Sequence, residues 1–176
     1  MTADTAWLRD HIRDVPDFPE PGVVFKDITP LLGNIDAFRF AVDALADHYC
    51  GDNIDYVVGM EARGFLFAAP LSYRCGAGLV PVRKPGKLPW ESITKQYDLE
   101  YGTDELEMHV DAFGEGDRVL IVDDVLATGG TAAATVDLVE STGASVAGLG
   151  FVVELGFLRG GAKLEHHEVF SLLVYD

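Results

Sequence analysis

Two carboxylates followed by small and hydroxylated residues, Asp123-Asp-Val-Leu-Ala-Thr-Gly-Gly-Thr131, end an apolar segment that begins at Val119. A small-residue loop that opens a helix leaves backbone N–H groups free and adds the positive end of the helix dipole. With the Thr128 and Thr131 hydroxyls as further donors, Ala127, Thr128, Gly129, Gly130 and Thr131 suit a phosphate monoester. The lysine of G-x-x-x-x-G-K-[ST] is missing, and so is the G-x-G-x-x-G of dinucleotide folds. Asp123 and Asp124 would repel a bare phosphate, so they must face a hydrogen-bond donor or a positive charge. Vicinal ribose hydroxyls, with Mg²⁺ nearby, meet that requirement. This string therefore reads as a ribose 5-phosphate site, against the plainer reading of a tight turn with an N-capping aspartate.

A second turn, Gly59-Met-Glu-Ala-Arg-Gly64, offers another helix N-terminus, with the planar donor fork of Arg63 suited to phosphate oxygens. Arg83, Lys84 and Lys87 follow. Five of the thirteen cations, Arg63, Arg74, Arg83, Lys84 and Lys87, thus fall between positions 63 and 87. Beside a second anion-binding turn, a polyphosphate site explains them better than a solvated basic strip.

The elements that must carry these residues repeat as strand, turn and helix. Apolar strands over 56–59, 79–83, 118–122, 145–155 and 168–174, with helices over 65–75 and 132–142, predict a parallel, Rossmann-like α/β sheet flanked by helices. Leu8, Ile12 and Val15 recur at helical spacing before Pro16, Pro19 and Pro21 stop a helix, and an irregular segment spans 18–32. Asn34 or Asp36 caps a second helix with Phe38, Val42, Leu45 and Tyr49 on one face. Alternation through Tyr97, Leu99 and Tyr101, and again through Leu106, Met108 and Val110, predicts a β-hairpin projecting from the sheet edge. With no linker or repeat, the expectation is one domain over 1–176, with an N-terminal hood over about 1–33 and a lid over about 87–108.

Thirteen basic against twenty-nine acidic residues give a net charge of −16, which disfavours general nucleic-acid and membrane-surface binding. The acid excess is explained equally by solubility and by salt adaptation. Cys50 and Cys75 lack a CxxC partner or metal-ligand spacing, so both read as buried, inert thiols in a reducing compartment. No signal peptide and no apolar run of ~20 residues is visible, and a soluble cytoplasmic protein is expected. His166 and His167 lack a third ligand, and Trp7 and Trp90 read as packing or surface aromatics.

The string from Asp123 to Thr131 resembles the phosphoribosyl pyrophosphate fingerprint of the type I phosphoribosyltransferases. The remaining motifs resemble the adenine phosphoribosyltransferase branch of that family. They are Phe18-Pro-Glu-Pro-Gly-Val-Val-Phe-Lys-Asp-Ile-Thr-Pro30, Glu61-Ala-Arg-Gly-Phe-Leu-Phe67, Arg83-Lys-Pro-Gly-Lys-Leu-Pro89 and Tyr97-Asp-Leu-Glu-Tyr-Gly-Thr-Asp104, in order, and the likeness covers roughly 12–176. The resemblance implies transfer of a phosphoribosyl group from phosphoribosyl pyrophosphate to adenine, giving AMP and pyrophosphate. It implies a pyrophosphate site at Glu61, Ala62, Arg63 and Gly64 with Arg83, Lys84 and Lys87, and Mg²⁺ held mainly by the substrate, with Asp123 and Asp124 as outer or partial ligands. It implies Phe25 stacked on adenine, the backbone of Val24 and Lys26 reading the purine edge, and Leu155 closing the opposite face. Glu100, with Tyr101 beside it, is placed above the reacting base, where it either assists proton transfer or steadies a cationic sugar. A homodimer follows from the resemblance alone. Ala68 and Lys26 depart from the family pattern, where glycine and arginine also occur. The rival readings are a transferase for a 6-oxo purine and a regulator that binds the sugar pyrophosphate without turnover.

Overall fold

In β3 (Tyr56–Met60) consecutive valines serve two different cores. Val57 packs with Leu45, Phe67, Leu71 and Leu120 on one side of the sheet, and Val58 packs with Val82, Met108, Ile121 and Phe151 on the other. A strand flanked on both faces needs apolar residues at every position, which is why these segments read as unbroken apolar runs. The computed structural model describes residues 5–51, 53–98 and 103–176. Its central sheet has five parallel strands, β3 with β4 (Gly78–Val82), β7 (Arg118–Leu126), β8 (Ser145–Leu155) and β9 (Val169–Tyr175), in the order β4-β3-β7-β8-β9. The chain adds β4 on one side of β3 and β7 on the other. The point where strand order reverses therefore lies between the carboxyl ends of β3 and β7, where ligands bind in open parallel sheets.

Helices α2 (Ile35–Tyr49) and α3 (Gly64–Cys75) cover the first face, and α4 (Gly130–Glu140) covers the second. Asn34 caps α2 as expected, its side chain accepting from the N–H groups of Asp36 and Ala37, both at 3.0 Å. The Tyr49 hydroxyl donates to the carbonyl of Leu149 at 2.8 Å, locking the end of α2 onto β8.

Four expectations change. The N-terminal apolar period yields a 3-10 turn, Ala6–His11, after which Val15 lies in β1 (Arg13–Pro16), paired antiparallel with β2 (Val24–Asp27). Pro16 drives its predecessor out of the helical region, and Val15 instead pairs with Phe25. The segment expected to be irregular thus contains β2 and the short helix α1 (Thr29–Gly33).

The hairpin strands β5 (Ser92–Asp98) and β6 (Thr103–His109) do not simply project. Leu106 and Met108 are fully buried in the second core, and Arg83 and Glu107 exchange both backbone hydrogen bonds, so the pair is packed down beside β4 and α4.

Cys50 and Cys75 are joined in a disulfide, with Cα atoms 4.7 Å apart. Far apart in sequence, they meet because they terminate α2 and α3 on the same face. The reading of two separate inert thiols is corrected, and the cysteine content no longer argues for a reducing compartment. Among the described residues, no helix is long and apolar enough to cross a membrane.

Candidate active site

Strand β7 runs four residues past 122, through Asp123 and Asp124, with Asp123 paired to Phe151 and Val125 to Val153. The apolar pairing partners on β8 carry the ladder past the carboxylates. Loop 127–129 follows, and α4 begins at Gly130, which places Gly130 and Thr131 in the first helical turn with free N–H groups. A pocket of about 80 Å³ opens here, lined by Asp123 and Ala127 through Thr131 above Met60 and Phe151. Gly129 has φ +75°, and a Cβ on it would stand 2.4 Å from the carbonyl oxygen of Gly160. A Cβ on Gly160 would in turn meet the carbonyl oxygen of Ala127 at 2.2 Å. The cradle is thus a backbone-on-backbone contact that any side chain would break.

The second turn sits at the carboxyl end of the neighbouring strand β3. Gly64 is buried, and a Cβ there would lie 2.8 Å from both Asp123 Oδ1 and the Val122 carbonyl, so the two strand ends approach as closely as their backbones allow. The Glu61–Ala62 peptide is cis. Arg63 bridges the turns, its Nε 2.5 Å from Oδ2 of Asp124, which is 3% exposed. Its guanidinium also lies 5.0 Å from the centroid of the Phe25 ring. Arg63 therefore joins the candidate phosphate, pyrophosphate and base residues in one chain of contacts.

Glu61 collects the remaining cations. Its carboxylate accepts from Arg83 Nε at 3.3 Å and from the Lys84 N–H at 2.9 Å, and it pairs with Lys87 Nζ. Burial would raise its pKa, but the hydrogen bonds from Lys87 and Lys84, with the Lys87 and Arg83 charges, hold it below the ordinary value. Asp123 goes the other way. Burial, then the adjacent Asp124 charge, pushes its carboxyl well above the usual range, against the hydrogen bond that its Oδ1 accepts from the Asp124 N–H at 2.9 Å. Of two neighbouring carboxyls, one is therefore paired with an arginine and the other has its ionisation disfavoured by burial.

Sequence reasoning missed a link across the site. Lys84 Nζ lies 2.7 Å from Asp104 Oδ2, and the Tyr97 hydroxyl, 3.3 Å from the same oxygen, is 3.3 Å from Thr131 Oγ1. The hydrogen bond to Asp104 raises the Lys84 pKa, and the hydrogen bond from Lys84 lowers that of Asp104. Tyr97 and Asp104 face each other in the β5–β6 register. Gly160 was also missed, since nothing local in Arg159-Gly-Gly-Ala162 points to a loop thirty residues earlier.

Among the remaining candidates, Val24 is exposed, Phe25 half-buried with its ring edge-on to Phe18, and Lys26 anchored to Asp14. Leu155 ends β8 opposite Tyr175 and packs against the α2–α3 core. Glu100 and Tyr101 lie outside the described residues. Among the described residues, no three Asp, Glu, His or Cys side chains are grouped to hold a metal ion, and Asp124 and Glu61 are already paired with cations. Such a donor set suits a Mg²⁺ ion that arrives on an anionic ligand better than one held by these side chains alone.

Residues 32–171 match the phosphoribosyl transferase domain family. The chain is 59% identical over 169 residues to adenine phosphoribosyltransferase of Solibacter usitatus, covering 96% of this chain and 98% of the relative. The adenine phosphoribosyltransferase structure from Thermoanaerobacter pseudethanolicus superposes with a TM-score of 0.94 at 51% identity, covering 97% of this chain and 99% of that one. The Saccharomyces cerevisiae adenine phosphoribosyltransferase, in complex with an imino-altritol bisphosphate and adenine, superposes with a TM-score of 0.90 at 43% identity over 96% of this chain and 98% of that one.

Proposed function

The chain belongs to the adenine phosphoribosyltransferases, and on that premise we propose how its residues perform the reaction in which adenine displaces pyrophosphate from 5-phosphoribosyl 1-pyrophosphate to give AMP. It is a pentosyltransferase of purine salvage. The observation that carries the assignment of roles is the placing of two anion-binding turns on adjacent strands, β3 and β7, at the switch point of the sheet, with Arg63 reaching from one to the other.

In this reading the N–H groups of 127–131 take the 5-phosphate, and Asp123 and Asp124 accept hydrogen bonds from the ribose hydroxyls. The 61–64 turn with Arg83, Lys84 and Lys87 takes the pyrophosphate. Phe25 stacks on adenine, a contact worth about 1–3 kcal/mol that does not select the base. Selection falls to the backbone of Val24 and Lys26, because an amino and an oxo group at the purine 6-position present opposite hydrogen-bonding patterns. Leu155 covers the opposite face of the base.

The bond from the anomeric carbon to the pyrophosphate oxygen breaks as the bond to the purine nitrogen forms, and the ring oxygen shares the positive charge that develops. Arg63, Arg83, Lys84 and Lys87 stabilise the departing negative charge in a site where such interactions are strengthened by the exclusion of water. Mg²⁺, when bound, supplies further neutralisation of that charge. A lid over 87–108 keeps water from the cationic sugar, and Glu100 with Tyr101 acts beside the base. A homodimer is proposed from the family resemblance. A cytoplasmic location is proposed because a pentose bearing three phosphates does not cross membranes unaided and must be used where it is made.

Incubation with Mg²⁺, phosphoribosyl pyrophosphate and each purine base in turn should give AMP from adenine and little nucleotide from the 6-oxo purines. XMP, IMP or GMP instead would reassign the base, and binding of the sugar without any product would support a regulator. Glu100→Leu should lower kcat by about a hundredfold or more while leaving the Kd for the sugar pyrophosphate within about threefold. Equal losses in both would remove Glu100 from its role.

A further inference from the structure

Two cations lie against the ring of Tyr175: the guanidinium carbon of Arg9 at 4.4 Å from its centroid and Nζ of Lys26 at 4.2 Å. Each has a second anchor. Arg9 Nη2 donates to the Val174 carbonyl at 2.5 Å, and Lys26 Nζ donates to Asp14 Oδ1 at 2.6 Å. The participants come from four separate pieces of chain, the N-terminal 3-10 turn, β1, β2 and β9, and the Lys26 side chain is only 12% exposed.

This cluster lies next to the residues assigned to the base. Lys26 follows Phe25 directly, and in a strand neighbouring side chains point to opposite faces. The Lys26 side chain meets Tyr175 while the Phe25 ring meets Arg63. Tyr175 is paired in register with Leu155 at the end of β8. One aromatic ring thus connects the β1–β2 ribbon, which carries Val24 and Phe25, to the strand end that carries Leu155.

We propose that Tyr175 is a positioning residue for the base pocket: clasped by Arg9 and Lys26, its ring sets where the β1–β2 ribbon lies against the sheet, and hence where Phe25 meets the purine. The inference rests on the assignment of adenine to Val24, Phe25, Lys26 and Leu155. It favours an effect on adenine, because the clasp reaches the 61–64 turn only through Phe25 beside Arg63. Cation–π contacts are weak singly and stronger when shielded from water, and here two share one ring.

The test is steady-state kinetics on the full chain with both substrates varied. Tyr175→Leu should raise the KM for adenine by about threefold to tenfold, with kcat and the KM for phosphoribosyl pyrophosphate changed by less than about twofold. Tyr175→Phe keeps the ring and should match the wild type, and Arg9→Met, which removes one of the two cations, should fall between. An unchanged adenine KM in Tyr175→Leu, a parallel rise in both KM values, or a Tyr175→Phe variant as impaired as Tyr175→Leu would each overturn the proposal. Should Tyr175→Leu fail to melt cooperatively, Arg9→Met decides by the same split between substrates. A wild-type enzyme that uses another base in place of adenine overturns the base assignment instead, and the clasp is then judged by the KM for that base.

Discussion

The two strand-to-helix turns do related work with different materials. The cradle after β7 is built of backbone, with Gly129 and Gly160 pressed together and no charged side chain lining it except Asp123. The turn after β3 is built largely of side chains, with Glu61 gathering Arg83 and Lys87, Lys84 held by Asp104, and Arg63 held by Asp124. A backbone pocket takes its shape from packing, whereas a pocket of half-exposed ion pairs is set by charge and is screened as ionic strength rises. The terminal phosphate keeps its charge through the reaction, and the pyrophosphate leaves. In the proposed assignment the rigid pocket takes the group that stays, and the adjustable one takes the group that leaves.

The sharpest way to break this contrast is Gly129→Ala, which forces a Cβ into the Gly160 carbonyl at a left-handed φ. Overpacking and backbone strain of a few kcal/mol should raise the KM for phosphoribosyl pyrophosphate by roughly tenfold to a hundredfold, and added salt should not restore it. Glu61→Gln should have a smaller effect on that KM, about threefold to tenfold, and a distinctive one on acid stability. Because the folded pKa of Glu61 is depressed, its contribution is present above the ordinary value of 4.5 and is lost as pH falls through the lower folded value. Thermal melts across pH 5 to 3 should therefore show a shallower decline in Glu61→Gln than in the wild type.

Asp123→Asn sharpens the comparison from the cradle side. The raised pKa of Asp123 means that ionising it opposes folding as pH climbs above 3.8, so a neutral isostere should raise the Tm slightly near pH 7. The same change should weaken sugar binding by a few fold, measured by calorimetry. The smallest effect on turnover belongs to the disulfide, which fastens the far end of α3 to α2 and leaves α4 unfastened. Replacing Cys50 and Cys75 together with serine should cost about 3 kcal/mol of stability and leave both KM values within about twofold.

How much of this was legible in the sequence depended on how local the cause was. The strand of 145–155 matched to the residue, since its middle, 148–153, is buried without a break, and Asn34 capped its helix because a cap is a contact over three residues. The Asp123-to-Thr131 string and the Arg83–Lys87 segment pointed to a ligand class by type and spacing, and the structure brings them to neighbouring strand ends. Where the cause was distant, legibility failed. Val15 looked helical until Phe25 offered it a strand partner, and Leu106 and Met108 looked like a projecting edge until α4 and β4 covered them. The cysteines looked unrelated until two helices ended side by side. Asp104 and Tyr97 gave no catalytic motif because their role depends on hairpin register and on the distance to Lys84 and Thr131.

The contact between Gly129 and Gly160 also has a temporal side. At typical synthesis rates of about 5–20 residues per second, roughly two to six seconds separate the emergence of those two positions from the ribosome. Until the later one docks, the earlier one lacks its floor. A nascent polypeptide can thus display the whole fingerprint while the cradle is still open, and the cradle is complete only once the chain just beyond β8 brings Gly160 into place.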